Sequence, residues 1–342
     1  MSSLEHPSEV FVSNYGSFLG KKSERLVLKE NGQTVLEVPF YELQNIIIET
    51  SGASISTDCI KECMQRGIPI SFLSSTGKPY ATIISPHLTG TVVTRRAQYE
   101  AFKDKRGVQM VKLFVEGKLK NQVNTLKYFA KYRKSADKEL FNNVQSVIDK
   151  IETTAQELKE ITGNCINDVR GQIMSAEGRA GNLYWQGIKL LTAGKIDFPG
   201  REHAGAADPM NSLLNYGYGI LYGKVEKCLI LAGLDPYAGF LHVDRSGKES
   251  LVYDFVEEFR QPVVDRVVVA MINKGIPIEM EDGQLSQKTR RDLAERIKER
   301  LDTAERFQGK KYRLQTIIQM QARRIATHLR GEARYKPYVS GW

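Results

Sequence analysis

Three residues able to hold a hard cation stand out in this 342-residue chain: Glu177, His242 and Glu257, with Asp254 beside them. An imidazole with two or three carboxylates is an oxygen-dominated donor set. It suits Mg²⁺ or Mn²⁺ better than Zn²⁺, and no cysteine contributes to it. Such a cation beside DNA holds a phosphodiester oxygen, activates an attacking hydroxyl and stabilises the leaving oxygen. The competing chemistry of a helical di-iron carboxylate centre wants two Glu-x-x-His motifs, and the chain has none.

The elements that must position these groups can be read from spacing. Leu241-His242-Val243-Asp244-Arg245-Ser246-Gly247 leads into a helix expected over Glu249–Lys274, which carries Asp254, Glu257, Glu258 and Asp265. With Asp254 at 0°, a turn of about 100° per residue puts Glu257 near about −60°, Glu258 near about 40° and Asp265 near about 20°. Leu251, Val252, Phe255, Val256 and Phe259 fall on the other side. An apolar stripe opposite an acidic one is also the pattern of an ordinary surface helix with a solvated acidic face. Against that, only Arg260 and Arg266 stand four residues or fewer away as counter-charges, and crowded carboxylates repel without a cation among them. Both readings stay open on these residues alone.

Glu177 lies in Ala176-Glu177-Gly178-Arg179-Ala180-Gly181, inside a helix expected over Ile166–Leu190. A glutamate among small residues sits where another backbone or a ligand comes close. An apolar series from Leu140 to Ile161 predicts the preceding helix, which Gly163 ends. Asp208-Pro209 opens a helix displaying Asn211, Asn215, Tyr218 and Lys224, and Gly233-Leu234-Asp235-Pro236 ends it ahead of His242. Thr192–Asp208 reads as loop, with His203 a surface histidine. Past Gly283, Ser286 is a helix cap, Leu314 to Leu329 give the stripe of a last long helix, and Gly331–Trp342 reads as a loosely held tail.

The first 85 residues read as β-rich, with strands expected around Val10–Val12, Ser17–Gly20, Arg25–Lys29, Thr34–Val38, Asn45–Glu49, Ile68–Leu73 and Tyr80–Ile84. Asn31-Gly32 is a hairpin turn, and Ser56 or Thr57 caps a short helix that Gly67 stops. Ser75-Thr76-Gly77-Lys78 is the expected turn between the last strand pair. The fold class expected is α+β: a β-rich domain over residues 1–85, a linker over 86–93 and a larger all-α domain over 94–342.

Bulk properties narrow the function. Hydrophobic content of 41% and charged content of 26% are those of a soluble globular protein. No apolar run reaches membrane-spanning length and no signal pattern opens the chain, so a cytoplasmic protein is expected. The four cysteines are scattered and read as buried free thiols. The net charge of +9 is uneven: between Thr94 and Ser135 twelve Lys/Arg face only Glu100, Asp104 and Glu116. A segregated basic face predicts a polyanion partner, nucleic acid first; a solvated helix surface is the plainer alternative. There is no phosphate-binding loop of the nucleotide-hydrolase kind.

Ala176-Glu177-Gly178, Asp208-Pro209-Met210-Asn211, Gly233-Leu234-Asp235-Pro236, Gly239-Phe240-Leu241-His242 and Ser250 through Arg260 (SLVYDFVEEFR) resemble, in order and spacing, the CRISPR-associated adaptation integrase family, Cas1. The resemblance covers essentially the whole chain. It implies that Glu177, His242 and Glu257 hold a divalent metal, Mg²⁺ or Mn²⁺, with Asp254 a further carboxylate near the ion. It also implies a homodimer formed through the N-terminal domain and assembly with a small partner protein, Cas2. The expected reaction is insertion of captured double-stranded DNA fragments into a repeat array, a transesterification in which a 3′-hydroxyl attacks a phosphodiester. Isolated members of the family look like metal-dependent nucleases on branched or single-stranded DNA. Two other readings are kept: a structure-selective nuclease using water, and a non-catalytic DNA-binding scaffold.

Overall fold

Asn31 and Gly32 both take positive φ, 48° and 78°, and so turn the chain back as the dipeptide predicts. The structure is a computed structural model describing residues 9–43, 45–73, 79–85, 91–202 and 208–341. The chain divides into two units, 1–89 and 90–342. The first contains β1 (Glu9–Val12), β2 (Phe18–Lys22), β3 (Arg25–Glu30), β4 (Gln33–Pro39), β5 (Asn45–Ile48), β6 (Ser54–Ile55), α1 (Thr57–Gln65), β7 (Ile70–Leu73) and β8 (Pro79–Ile83). One sheet runs β4-β3-β2-β6 and the other β1-β5-β7-β8. β5 pairs in parallel with both β1 and β7, with Ile46 and Ile48 buried on one face and Ile47 half-buried on the other. Val10, Leu19, Leu26, Val38, Ile46 and Ile70 build the core with Cys59 and Cys63, whose thiols are free and buried. The Ser56 side chain caps α1 as expected. The expected turn at Ser75–Lys78 lies outside the described residues.

The second unit contains α2 (Thr91–Ala101), α3 (Lys105–Ala130), α4 (Arg133–Ala136), α5 (Lys138–Glu160), α6 (Ile166–Thr192), α7 (Pro209–Leu231), α8 (Ser250–Val256), a π-helical turn (Arg260–Asp265), α9 (Arg266–Asn273), β9 (Met280–Glu281), β10 (Gln284–Leu285), α10 (Gln287–Asp302), β11 (Ala304–Phe307), β12 (Lys310–Arg313) and α11 (Leu314–Leu329). The chain is therefore mixed, sheets first and mostly helices afterwards. The all-α expectation for the second part holds roughly, the exceptions being two small antiparallel hairpins that flank α10. Their turns, Asp282-Gly283 and Gln308-Gly309, both have positive φ at each residue. α2 begins at Thr91, inside the expected linker, and residues 86–90 lie outside the described set, as does His203.

Two expectations are corrected, and a third holds in part. The helix expected over Glu249–Lys274 is not continuous, because Pro262 has no N–H to give the carbonyl of Glu258 and its ring crowds that turn. The chain passes through the π-helical turn instead, and the acidic face is buried: Asp254, Glu257, Glu258 and Asp265 are 1%, 5%, 0% and 0% exposed. The basic segment is a cationic face only in part: Arg95, Arg96, Lys103, Lys105, Lys120, Lys131 and Lys134 are exposed, whereas the body of α3 packs against α5 and α6. Lys112 caps the carbonyls of Lys159 and Ile161, Lys127 pairs with Glu152, and Lys118 is buried. The C-terminal tail is not loose either, for Tyr335, Tyr338 and Ser340 are buried.

The expected caps of the second unit form. Asp208 accepts from the N–H of Asn211 ahead of Pro209, and Ser286 accepts from Thr289 N–H. Gly239 matters more for the site. A Cβ there would stand 2.6 Å from Ser250 Cβ and 2.7 Å from its carbonyl carbon, so the loop before His242 lies directly on the start of α8. Gly239→Ala is expected to cost about 1–3 kcal/mol, because backbone rather than a flexible side-chain tip must move. Gly171→Ala, on α6 with nothing within 4 Å of the added Cβ, should be neutral or stabilising by up to about 1 kcal/mol. Urea denaturation midpoints of the two variants check this; equal midpoints would disprove the close approach.

Candidate active site

The site is assembled around Asp254 on α8. One of its oxygens accepts the backbone N–H groups of Phe240 and Leu241 at 2.6 and 3.0 Å. The other takes the His242 N–H at 3.1 Å and the His242 ring Nδ1 at 2.6 Å. A carboxylate with two oxygens can satisfy four such donors, and this one is nearly saturated. Holding the Nδ1 proton on Asp254 leaves Nε2 as the nitrogen with a free lone pair. Burial pushes the His242 pKa down, but the hydrogen bond and charge of Asp254, with Glu257 behind it, outweigh that and raise it.

A second cluster centres on Lys118 of α3. Its ammonium hydrogen-bonds Glu177 Oε1 on α6 and stands 2.7 Å from Glu257 Oε2. Arg260 pairs with the other oxygen of Glu257 at 2.8 Å, donates to the Tyr222 hydroxyl and lies 5.0 Å over the Tyr218 ring. Burial acts to raise the Glu257 carboxyl, but Arg260 and Lys118 outweigh it and hold the group down to about 2. The next residue shows the opposite. Glu258 has only neutral hydrogen-bond donors at contact distance, and burial pushes it up to about 8. Farther along, Asp265 accepts the hydroxyls of Tyr218 and Tyr184 at 2.5 and 2.8 Å.

Glu177, His242 and Glu257 line one cleft of about 690 Å³, whose walls add Arg201, Arg245 and Lys248. Gly178 and Gly181 of α6 also line it, and an added Cβ at either would meet nothing within 4 Å. At Gly178 and Gly181 the neighbour is therefore an open cleft, whereas Ala176 and Ala180 of the same run are buried. Among the described residues, no three of His, Cys, Asp and Glu stand close enough to form a ready-made cation cage. The His242 ring is turned to Asp254, and an ammonium lies between the two glutamates. The residues nonetheless fit a divalent cation. Two carboxylates already share a positive charge, Glu257 Oε2 is buried without a well-aligned hydrogen bond, and His242 keeps one ring nitrogen uncommitted.

This frame matches known proteins. The family model described as CRISPR associated protein Cas1 aligns with residues 10–299. The chain belongs to the Cas1 family. A relative from Archaeoglobus fulgidus, named CRISPR-associated endonuclease Cas1 1, is 37% identical across 97% of this chain and 99% of its own. Among solved structures the fold resembles a casposase bound to integration product, with TM-score 0.76 and 23% identity, over 97% of this chain and 93% of that one. It also resembles a chain of a Cas6-RT-Cas1–Cas2 complex, with TM-score 0.73 and 18% identity, over 98% of this chain and 36% of that one.

Lys118 and Arg260 are the site residues that sequence reading passed over in these roles. Lys118 was hidden in a basic run, although Val111, Val115, Lys118 and Gln122 fall at helical spacing and all are buried. A lysine at a core position of an amphipathic helix is the signal that was available. Arg260 was noted only as a neighbouring charge.

The Asp254 cradle yields a test in metal-free protein. Asp254→Asn presents an NH₂ group to a set of N–H donors and should cost about 1–3 kcal/mol. The His242 ring should titrate above its ordinary value of about 6.5 in the wild type and lower in the variant. Because the folded value is raised, this contact's pH-dependent stabilisation is complete below the unfolded pKa and fades as pH rises through the folded one. The stability gap between wild type and variant should therefore narrow from about pH 6 to about pH 9. Histidine NMR titration with denaturant melts reads both effects, and an unshifted His242 in Asp254→Asn would sink the assignment.

Proposed function

We propose that this chain is a metal-dependent DNA endonuclease and integrase of CRISPR adaptation, joining captured DNA fragments to a repeat array. The observation that carries it is the cleft floor, where two glutamates on different helices share one cation beside a histidine pinned through Nδ1. The names of the relative and of the fold neighbours, an endonuclease, a casposase on its integration product and a Cas1–Cas2 assembly, agree with it. Glu177, Glu257 and His242 Nε2 would hold Mg²⁺ or Mn²⁺, with Asp254 orienting the histidine rather than binding the ion. When bound, the ion polarises a phosphodiester oxygen and eases ionisation of the attacking hydroxyl.

The reaction exchanges one phosphodiester for another. The fragment's 3′-oxygen bonds to phosphorus, the phosphorus–oxygen bond to the repeat strand's 3′-oxygen breaks, and the proton lost by the first hydroxyl is matched by one taken up by the second. No nucleotide hydrolysis is needed. The chain's own residues bind and orient: Arg201, Arg245 and Lys248 in the cleft wall supply cations for phosphates. Gly178 and Gly181 let a strand lie against α6. His242 must stay neutral to serve as a ligand, so protons compete with the ion and the metal requirement rises as pH falls. Residues 1–85 serve as the dimerisation domain, residues 94–342 carry the chemistry, and Cas2 is the protein partner. Among the described residues no helix is long and apolar enough to cross a membrane, and we place the protein in the cytoplasm.

Strand transfer of a labelled 3′-hydroxyl fragment into repeat DNA, with Mn²⁺ or Mg²⁺, tests the reading. Glu177→Ala, His242→Ala and Glu257→Ala should each lower joining by about a hundredfold or more while circular dichroism stays native. Asp254→Ala should lose about 10- to 100-fold. Cleaved but unjoined products would favour a nuclease using water, and full joining in any folded ligand variant would overturn the site.

A further inference from the structure

The helix carrying Glu257 is broken where a metal ligand most needs rigidity. Pro262 stands four residues after Glu258 and offers no N–H, so the Glu258 carbonyl lacks its helical partner. Asn121 of α3 replaces it: Asn121 Nδ2 donates to Glu258 O at 2.8 Å. The same amide nitrogen donates to Tyr338 O at 2.9 Å, while Asn121 Oδ1 accepts the Ser340 N–H at 2.8 Å. The C-terminal segment also grips the Glu258 side chain, through the Tyr335 hydroxyl at 2.7 Å and the Tyr338 N–H at 2.8 Å. The Tyr338 ring stacks on Phe259 with centroids 5.5 Å apart. On the α3 side, a Cβ at Gly117 would lie 2.8 Å from Pro337 Cβ and 3.0 Å from Glu258 Cγ, so the segment is seated against bare helix backbone. Gly117 immediately precedes Lys118, and Glu258 immediately follows Glu257.

We propose that residues 335–340 are a positioning strap for the metal site, acting through Asn121 and Glu258 to set Glu257 against Lys118 across the cleft floor. The inference rests on the reading of Glu257 as a metal ligand. Asn121 and Tyr335 are positioning residues: neither lines the cleft, and each touches the residue beside Glu257 rather than Glu257 itself. The strap does for this broken turn what the i to i+4 ladder does elsewhere in a helix. Its hydrogen bonds are buried, where each counts for more than in water.

The test measures Mn²⁺ binding directly, by the loss of the free-ion electron paramagnetic resonance signal, in full-length protein. Asn121→Ala removes the bridge between strap and helix, and Tyr335→Phe removes the hydroxyl that donates to Glu258 and accepts from Gln321 while keeping the ring. Val144→Ala, a core truncation in α5, serves as the destabilised control, and Glu257→Ala as the ligand control. Asn121→Ala should weaken Mn²⁺ binding about tenfold or more, and Tyr335→Phe should weaken it less but in the same direction, as loss of an outer partner of a ligand does. Val144→Ala should bind like the wild type. Should Asn121→Ala fail to fold, Tyr335→Phe, which leaves packing intact, decides the matter. Wild-type affinity in both folded strap variants while Glu257→Ala has lost binding overturns the strap alone. Equal weakening by Val144→Ala overturns it too, as a mere stability effect. Wild-type binding by Glu257→Ala overturns the metal-ligand reading and the strap with it.

Discussion

One buried carboxylate organises the cleft. Asp254 collects three consecutive backbone N–H groups and the ring nitrogen of the third residue, so the backbone and side chain of His242 are placed by the same two oxygens. Consecutive N–H groups converge on one acceptor only if the chain curls tightly around it. That is why the loop lies on the first turn of α8 at Gly239, with the Leu251 N–H donating to Pro236 O at 3.0 Å. Phe240, Leu241, Leu251 and Phe255 bury the arrangement. Exclusion of water strengthens each bond and also makes an unmade one costly. A histidine held this way has little freedom to rotate, which is what a ligand or an orienting group requires.

The second constraint is charge. Glu257 is almost fully buried and anionic, a state that survives in a dry interior only with cations in contact. Arg260 supplies one from the next turn and Lys118 the other from α3, with Glu177 sharing the lysine. Buried ion pairs of this kind add little net stability, because desolvation consumes most of the attraction. Their use here is specificity of place. The ammonium keeps two carboxylates from different helices close together at the cleft floor.

Much of this was legible in the sequence, and the misses have identifiable causes. The Asn31-Gly32 turn, the Ser56, Asp208 and Ser286 caps and the helix over Ile166–Thr192 follow from local chemistry that tertiary contacts did not override. The four acidic residues of 254–265 were recognisable as unusual, yet helical angles placed them on one solvated or metal-binding face. The structure gives each its own partner: His242 and the loop for Asp254, two cations for Glu257, the C-terminal strap for Glu258, and two tyrosines for Asp265. A projection onto an ideal helix could not anticipate this, because Pro262 changes the helical register in the middle of the set. The basic run was legible in part, since seven of its twelve cations are exposed. Sequence counts cations but does not say which are consumed by carbonyls and carboxylates from α5, α6 and α8. The hairpins around α10 were too short to show strand periodicity, although Asp282-Gly283 carried the turn signal.

These contacts also explain how the two walls of the cleft keep their spacing. Glu177 belongs to α6, whereas His242 and Glu257 belong to the loop and helix that Asp254 and the strap hold. α6 meets that second group through Lys118 at the cleft floor and again through Tyr184, whose hydroxyl reaches Asp265 alongside Tyr218 of α7. The Asp265 contact lies in the π-helical turn, beyond the break made by Pro262, while the Lys118 contact lies before it. The break therefore sits between two ties to the rest of the domain rather than at a free end, and the turn bearing Glu257 is spanned by them. Between those ties α6 presents Gly178 and Gly181 to the cleft, with Asn182 beside them, which keeps the wall open there. Rigidity and access are thus divided along one helix: polar contacts at Glu177 and Tyr184, and two cleft-facing glycines between.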